Sequence, residues 1–149
     1  MPRLPAILFV IGATACGGAE PTATTHQPAA AAAEGDPHAV CVRAFQRQRA
    51  CTDEFIPALV DARVRLDRPP GIADQDRELG RDQLVAMALE EWHTDSTDDA
   101  IEASCTSLQD AMPPDQQRQM TEQVGRCLDA DACASFVDCL IPVVTSQLH

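Results

Sequence analysis

Residues 41 to 51 read CVRAFQRQRAC and place two cysteines ten positions apart in a run with helical periodicity. The periodicity extends in both directions, because apolar or small side chains recur every three or four residues from His38 to Leu66. Such a stripe is typical of an amphipathic helix. We expect Pro57 to kink this helix or to restart it, and the segment Pro69-Pro70-Gly71 to end it.

Further helical segments follow, and no segment has a convincing strand pattern. A second helix is predicted from about Asp74 to His93, and Ser96 is expected to cap the third. Pro113-Pro114 should separate the third helix from the fourth. Asp131 is expected to cap the last helix, in which Pro142 introduces a late kink. The predicted fold is all-α: a small irregular antiparallel bundle of about five helical segments.

Six cysteines downstream of residue 37 fall mostly on or beside the apolar stripes. They are Cys41, Cys51, Cys105, Cys127, Cys133 and Cys139. In an exported chain, an even set of this kind indicates three disulfide bridges between packed helices. The chain has only four phenylalanines and one tryptophan, so bridges should supply stability that aromatic packing does not.

Helix geometry restricts the pairing. Cys41 and Cys51 would lie about 15 Å apart along one helix, whereas the α-carbons of a bridge are about 4.4 to 6.8 Å apart. These two cysteines must therefore reach other helices. If the chain stays collinear from Cys127 to Cys139, an antiparallel match pairs Cys41–Cys139, Cys51–Cys127 and Cys105–Cys133. A break near Asp131 would instead let Cys133 or Cys139 meet Cys51.

The first 15 residues have the layout of a secretory signal. Arg3 is followed by an apolar run from Leu4 to Ile11 and then by small residues, an arrangement typical of signal peptides. The apolar run is shorter than the roughly 20 residues that a membrane-spanning helix needs. We therefore predict that residues 1–15 are a signal peptide that is removed.

The end of this segment, Ala13-Thr14-Ala15-Cys16, resembles the lipobox of bacterial lipoproteins. The resemblance implies that Cys16 is the lipid attachment site and becomes the diacylated first residue of the mature chain. Ala13 departs from the motif, which usually has leucine there. The alternative is an ordinary signal peptide cleaved at the small residues Ala13 and Ala15. Because Gly17 rather than aspartate follows, the resemblance favours the outer membrane facing the periplasm, with the cell surface as another possibility.

Residues 16–36 contain almost no large apolar side chain and include five consecutive alanines, Ala29 to Ala33. A segment of this composition cannot bury enough apolar surface to offset the conformational entropy that it would lose on ordering. We therefore predict a lipid attachment cysteine followed by a disordered tether, which reaches about 25 Å on average. The remaining residues, 37–149, form one cysteine-rich helical domain.

The chain is strongly acidic, with 23 aspartates and glutamates, 11 arginines and a net charge of −12. This charge argues against a nucleic-acid partner and against direct adsorption to anionic lipid. Eight arginines lie between Asp36 and Arg81, and only two follow. The simplest interpretation is that the arginine-bearing first helix packs against acidic later helices. The alternative is an acidic face that captures a cationic partner or divalent ions.

No phosphate-binding glycine loop, nucleophile elbow or Cys-x-x-Cys motif occurs in the sequence, although each would indicate a chemistry. One group of side chains could hold a divalent cation: Glu90, Glu91, His93 and Asp95. The simpler interpretation is that Trp92 anchors the core and its charged neighbours form a solvated helix end. We therefore expect no catalytic residue, no cofactor and no bound metal.

These observations predict a non-enzymatic lipoprotein, attached to the membrane by its N-terminal lipid, that acts as an interaction or structural module of the cell envelope. Its expected partner is another envelope protein. The alternative is a periplasmic carrier, because a stapled bundle with few aromatic side chains could enclose an apolar cavity for a lipid or a similar small molecule.

Overall fold

A computed structural model describes residues 35–146 and shows seven α-helices and no strand in that range. The helices are α1 (Pro37–Ala50), α2 (Thr52–Leu66), α3 (Ile72–Leu79), α4 (Arg81–Asp95), α5 (Asp98–Ala111), α6 (Pro114–Leu128) and α7 (Cys133–Ser146). The all-α prediction is confirmed, although five segments were too few. The predicted signal peptide, Cys16 and the tether up to residue 34 lie outside the described residues, as do Gln147, Leu148 and His149.

Cys51 divides the first predicted helix into α1 and α2. Its backbone leaves helical geometry, with φ −110° and ψ 28°, while its N–H still donates to the carbonyls of Arg47 and Gln48. The restart expected at Pro57 therefore lies six residues earlier, at Cys51. Pro57 stays inside α2, where it removes the hydrogen bond that the carbonyl of exposed Asp53 would otherwise accept,.

Gly80 divides the second predicted helix, Asp74 to His93, into α3 and α4. It has φ 84° and ψ 152°, a conformation that glycine adopts readily and other residues do not. The turn before α3 is held by Asp67, whose carboxylate accepts hydrogen bonds from the N–H groups of Gly71 and Ala73.

Thr97, and not Ser96 as predicted, caps α5. The Thr97 hydroxyl accepts a hydrogen bond from the N–H of Ala100 at 3.3 Å. Ser96 is buried instead, and its carbonyl accepts a hydrogen bond from the guanidinium of Arg49 at 2.8 Å. The cap therefore lies one residue later, and Ser96 links α1 to the start of α5.

Two prolines precede α6, and a short reversal of the chain follows it. Pro113 and Pro114 separate it from α5, as predicted. The last helix begins at Cys133, so Asp131 lies one residue too early to cap it. The chain between α6 and α7 is thus only a short reversal, and the two helices pack against each other.

The core lies among α1, α2, α6 and α7, and Phe136 of α7 has no exposed surface there. Phe55 and Ile56 of α2 pack in the same cluster, as does Leu140 of α7. Trp92 of α4 covers the cluster from outside. Its ring contacts Phe55 at a centroid distance of 5.5 Å, and this confirms the prediction that Trp92 anchors the core.

Three bridges staple this domain: Cys41–Cys105, Cys51–Cys133 and Cys127–Cys139. The predicted pairs Cys41–Cys139, Cys51–Cys127 and Cys105–Cys133 were therefore wrong. The alternative in which Cys133 meets Cys51 is confirmed.

The pairing failed because it treated the chain from Cys127 to Cys139 as collinear. The chain instead reverses at residues 129–132. This reversal brings Cys139 back to Cys127, with their α-carbons 5.4 Å apart. The restriction on the first helix holds, since Cys41 and Cys51 reach different partner helices.

Contacts along α1 give the direction of α5. Arg49, near the end of α1, forms an ion pair with Asp98 at the start of α5, at 2.8 Å. Cys41, near the beginning of α1, is bonded to Cys105 farther along α5. The two helices therefore run antiparallel.

Arg47 ties α1 to the end of α6. Its guanidinium donates to the carbonyl of Ala130 at 3.3 Å and to that of Asp131. The same group lies 5.9 Å from the ring centroid of Phe136. The positive charge thus satisfies carbonyls in the reversal after α6 and covers the central aromatic side chain.

Each described helix is too short or too polar to span a bilayer.

Replacing Arg47 by methionine should lower the free energy of unfolding by about 1.5 to 3 kcal/mol, because it removes charged hydrogen bonds to two carbonyls,. Arg43→Met, at an exposed position of the same helix, is the control and should stay within about 0.5 kcal/mol of wild type. Urea unfolding followed by circular dichroism measures both. Equal destabilisation by the two substitutions would contradict the assigned role of Arg47.

The bridges should stabilise the domain according to the loops they close. Chain entropy gives about 4 kcal/mol for Cys41–Cys105 and for Cys51–Cys133, and about 3 kcal/mol for Cys127–Cys139, because the sequence separations are 64, 82 and 12 residues. Paired Cys→Ala substitutions, one bridge at a time, test the order by chemical unfolding. Reduction of all three should unfold the domain, and a thermal melt unchanged by dithiothreitol would refute this.

Candidate functional site

A groove of about 720 Å³ lies between α1 and α6. Its walls are the start of α1, from Pro37 to Arg43, and the full length of α6, from Pro114 to Asp129 just beyond its end. Arginine, glutamine, threonine and carboxylate side chains make up most of the lining. We refer to it as the α1–α6 groove.

The two helices that form the groove run in the same direction. Pro37 and Pro114, their first residues, both line it. At the other end, Arg47 of α1 binds carbonyls just past the end of α6. A partner lying in the groove would therefore meet two parallel helices.

Hydrogen bonds fix the first turns of both walls. The side chain of Gln117 donates to the carbonyls of Gln109 and Met112, which holds the start of α6 against the end of α5. Asp36 caps α1 by accepting a hydrogen bond from the N–H of Ala39 at 3.3 Å. The groove is thus formed by anchored helices and needs no partner to define it.

Three exposed arginines line the groove, and none forms a hydrogen bond or an ion pair with another described residue: Arg43, Arg118 and Arg126. The last two are the only arginines after residue 81. In a chain of net charge −12, cations would find carboxylates easily. Their lack of internal partners leaves three guanidinium groups available to an external one.

Two arginines outside the groove, Arg81 and Arg49, are used differently. Arg81 donates to both carboxylate oxygens of Asp61, at 2.6 and 2.9 Å. This hydrogen bonding lowers the pKa of the Asp61 carboxyl group below its usual value. Arg49 pairs with Asp98, as described above. These guanidinium groups join helices to one another and are not free for binding.

Four charged residues that line the groove follow one another along the exposed face of α6 and just past its end, and Asp115 at the start of the helix lies on the same face but does not line the groove. We call these four residues the charge stripe: Arg118, Glu122, Arg126 and Asp129. Their spacing of four, four and three residues keeps them within an arc of about 80° and spreads them over about 16 Å along the axis. The sign alternates from positive to negative along the stripe. The opposite face of α6 carries buried Val124 and Cys127.

Gly125 lies within the same stretch of the groove wall. A β-carbon placed there would meet no other atom within 4 Å. The residue stands in the interior of α6 and does not have the positive φ that would require glycine. A glycine there weakens the helix relative to alanine, and the fold gains nothing that compensates. Its effect is to leave the backbone of α6 open to close approach.

The four residues that could hold a divalent cation, Glu90, Glu91, His93 and Asp95, are not brought together. Within residues 35–146, no group of three or more His, Cys, Asp or Glu is placed to hold a metal ion. Helical geometry explains this, because on α4 Glu90 shares a face with His93, and Glu91 shares a different face with Asp95. Glu91 lies near Arg63 of α2, whose pKa is lowered by burial and partly restored by that carboxylate.

The groove was not identified from the sequence. The charge count noted that only two arginines follow residue 81 but gave them no role. The usable signal was local: opposite charges at four-residue steps on the polar face of the fourth predicted helix, across from Val124 and Cys127. That Arg43 joins them depends on the packing of α1 beside α6, which no local pattern encodes.

The chain matches no protein-family model, and no curated protein or solved structure is significantly similar to it.

Replacing Gly125 by alanine should raise the free energy of unfolding by about 0.5 to 1 kcal/mol, because alanine favours the helix and open space surrounds the site,. Gly80→Ala is a matched control, since its β-carbon also meets no atom within 4 Å but its φ is +84°. That substitution should destabilise the domain. Thermal melts measure both, and a destabilising Gly125→Ala would show that the glycine serves the fold.

Proposed function

We propose that this chain is a lipid-anchored bacterial envelope lipoprotein whose helical domain is a non-enzymatic interaction module, with the α1–α6 groove as its contact surface. Cys16 carries the lipid, and residues 17–36 tether the domain to the membrane. The preferred location is the periplasmic face of the outer membrane.

One observation carries the proposal: Arg43, Arg118 and Arg126 line one groove and have no hydrogen-bond or ion-pair partner among residues 35–146. Exposed charges are tolerated anywhere on a protein surface, but here cations gather in one place on a chain with an excess of carboxylates. Arginine is well suited to interfaces, since its planar group binds carboxylates in two places and is weakly hydrated. The groove therefore has the chemistry of a protein contact.

The bridges support the same interpretation. We infer that the seven helices form one irregular bundle that acts as a rigid platform, because Cys41–Cys105 and Cys51–Cys133 fix α1 near both of its ends. A preformed contact surface loses little conformational entropy when a partner binds. Three disulfides are also consistent with a protein exported to an oxidising compartment.

The anchor is tested by Cys16→Ser. This variant should move from the membrane fraction to the soluble fraction and should no longer incorporate a labelled fatty acid, because it lacks the thiol that would carry the acyl chains. Thr14→Ser, which retains Cys16, is the control and should behave as wild type. Membrane retention of the Cys16→Ser variant, together with an unlabelled wild-type protein, would rule out lipid anchoring.

The contact surface is tested by photo-crosslinking in cells. A photoreactive residue at position 118, in the groove, should give discrete protein adducts. The same residue at Ser107, an exposed position on α5, should not. Native mass spectrometry of the purified protein tests the carrier alternative. If it detects a bound apolar molecule, and if position 118 gives no protein adduct, the domain is a carrier and not an interaction module.

A further inference from the structure

We propose that the partner bound in the α1–α6 groove is a second copy of this chain, with the two α6 helices side by side and antiparallel. The inference rests on the proposed function, because it names the partner of the same groove. It is carried by the order of charges in the charge stripe.

The charge stripe is complementary to itself when it is reversed. Along α6 the signs are positive, negative, positive and negative. In an antiparallel copy, Arg118 faces Asp129 of the second copy, and Glu122 faces Arg126 of the second copy. Two-fold symmetry repeats both contacts, because in such an interface each pair of residues meets twice. A parallel copy in register would place every charge opposite its own kind.

The two kinds of pair need nearly the same register, because Arg118 with Asp129 is centred at position 123.5 of α6 and Glu122 with Arg126 at position 124. Val124 itself points into the core. Gly125, the next residue, lies on the exposed wall and has open space where a side chain would be. The two helices would therefore cross where α6 has no side chain, and the long arginine and glutamate side chains on either side can reach across.

The second wall of the groove adds to the same contact. Arg43 of α1 flanks the space that the second helix would occupy. Each α6 would then lie against both walls of the other copy's groove.

The lining also indicates how strong the association is. Val40 is buried at 2% exposure, and more than half of the residues that line the groove are charged or polar. Exposed ion pairs are individually weak and are screened by salt. The dimer should therefore be weak and salt-sensitive in dilute solution. Anchoring both copies to one membrane raises their effective concentration without any new contact.

Charge reversal at the centre of the stripe tests the proposal. In a homodimer, Glu122→Arg would face Arg126, and Arg126→Glu would face Glu122. Each single variant should raise the dimer dissociation constant on the order of 10- to 30-fold, because two attractive contacts become repulsive. The double variant E122R/R126E restores opposite charges throughout and should dimerise like wild type. Sedimentation equilibrium of the full chain, purified as the cell makes it, at about 0.02 M salt measures this.

Mixing provides the sharper test. The two single variants have complementary stripes at all four positions, so an equimolar mixture should form a heterodimer more tightly than either variant forms a homodimer. Native mass spectrometry separates the three species by mass once one variant is isotopically labelled. Glu122 and Arg126 are exposed and form no ion pair within the described range, so both variants should melt at the wild-type temperature.

Three outcomes would overturn the proposal: wild type that stays monomeric at low salt, a dimer indifferent to the single reversals, or a mixture that forms no heterodimer. The salt dependence of the wild-type dimer tests it even if a variant folds poorly. Failure here is distinguishable from failure of the proposed function. Photo-crosslinks from position 118 to an unrelated acidic protein would retain the groove as a contact surface while rejecting the second copy as its occupant.

Discussion

Two disulfides fix α1 near both of its ends, and the positions of the other core helices depend on them. Cys41 joins α1 to α5, and Cys51 joins it to the start of α7. This covalent frame replaces what a larger aromatic core would supply, since the chain has four phenylalanines and no tyrosine. The guanidinium of Arg47 lies over the ring of Phe136. The centre of the domain therefore consists of disulfide sulfurs, one aromatic ring and the charged group that covers it.

The frame divides α6 into two functionally different faces. Its inner face holds Val124 and Cys127 in the core, and Arg47 satisfies carbonyls just past its end. Its outer face carries the charge stripe and Gly125. The stripe residues form no ion pair within the described part of the chain, and a β-carbon at Gly125 would meet open space. The residues on this outer face of α6 are therefore available for contact with a partner.

Local chemistry predicted some boundaries and missed others. Pro113-Pro114 ends α5 because proline removes a donor that the helix needs, and this was readable from residue type. Gly80 stands in a helical pattern, and its break depends on a backbone conformation that the pattern does not reveal. The bridges were mispaired because pairing depends on where the chain reverses, and four residues after α6 decide it. The possible cation ligands on α4 do not converge, because neighbouring residues on a helix point in different directions.

The bridge pattern also affects biogenesis. When the six bridged cysteines are numbered in chain order, the first pairs with the third, the second with the fifth and the fourth with the sixth. No bridge joins neighbours in the sequence, so oxidation of thiols in the order of their translocation would link wrong partners first. Cys51 in particular must wait for Cys133, although Cys105 and Cys127 arrive before it. A chain exported as proposed above would therefore need a catalyst that reshuffles disulfides as well as one that forms them, and the yield of this domain would measure how well a cell isomerises exported thiols.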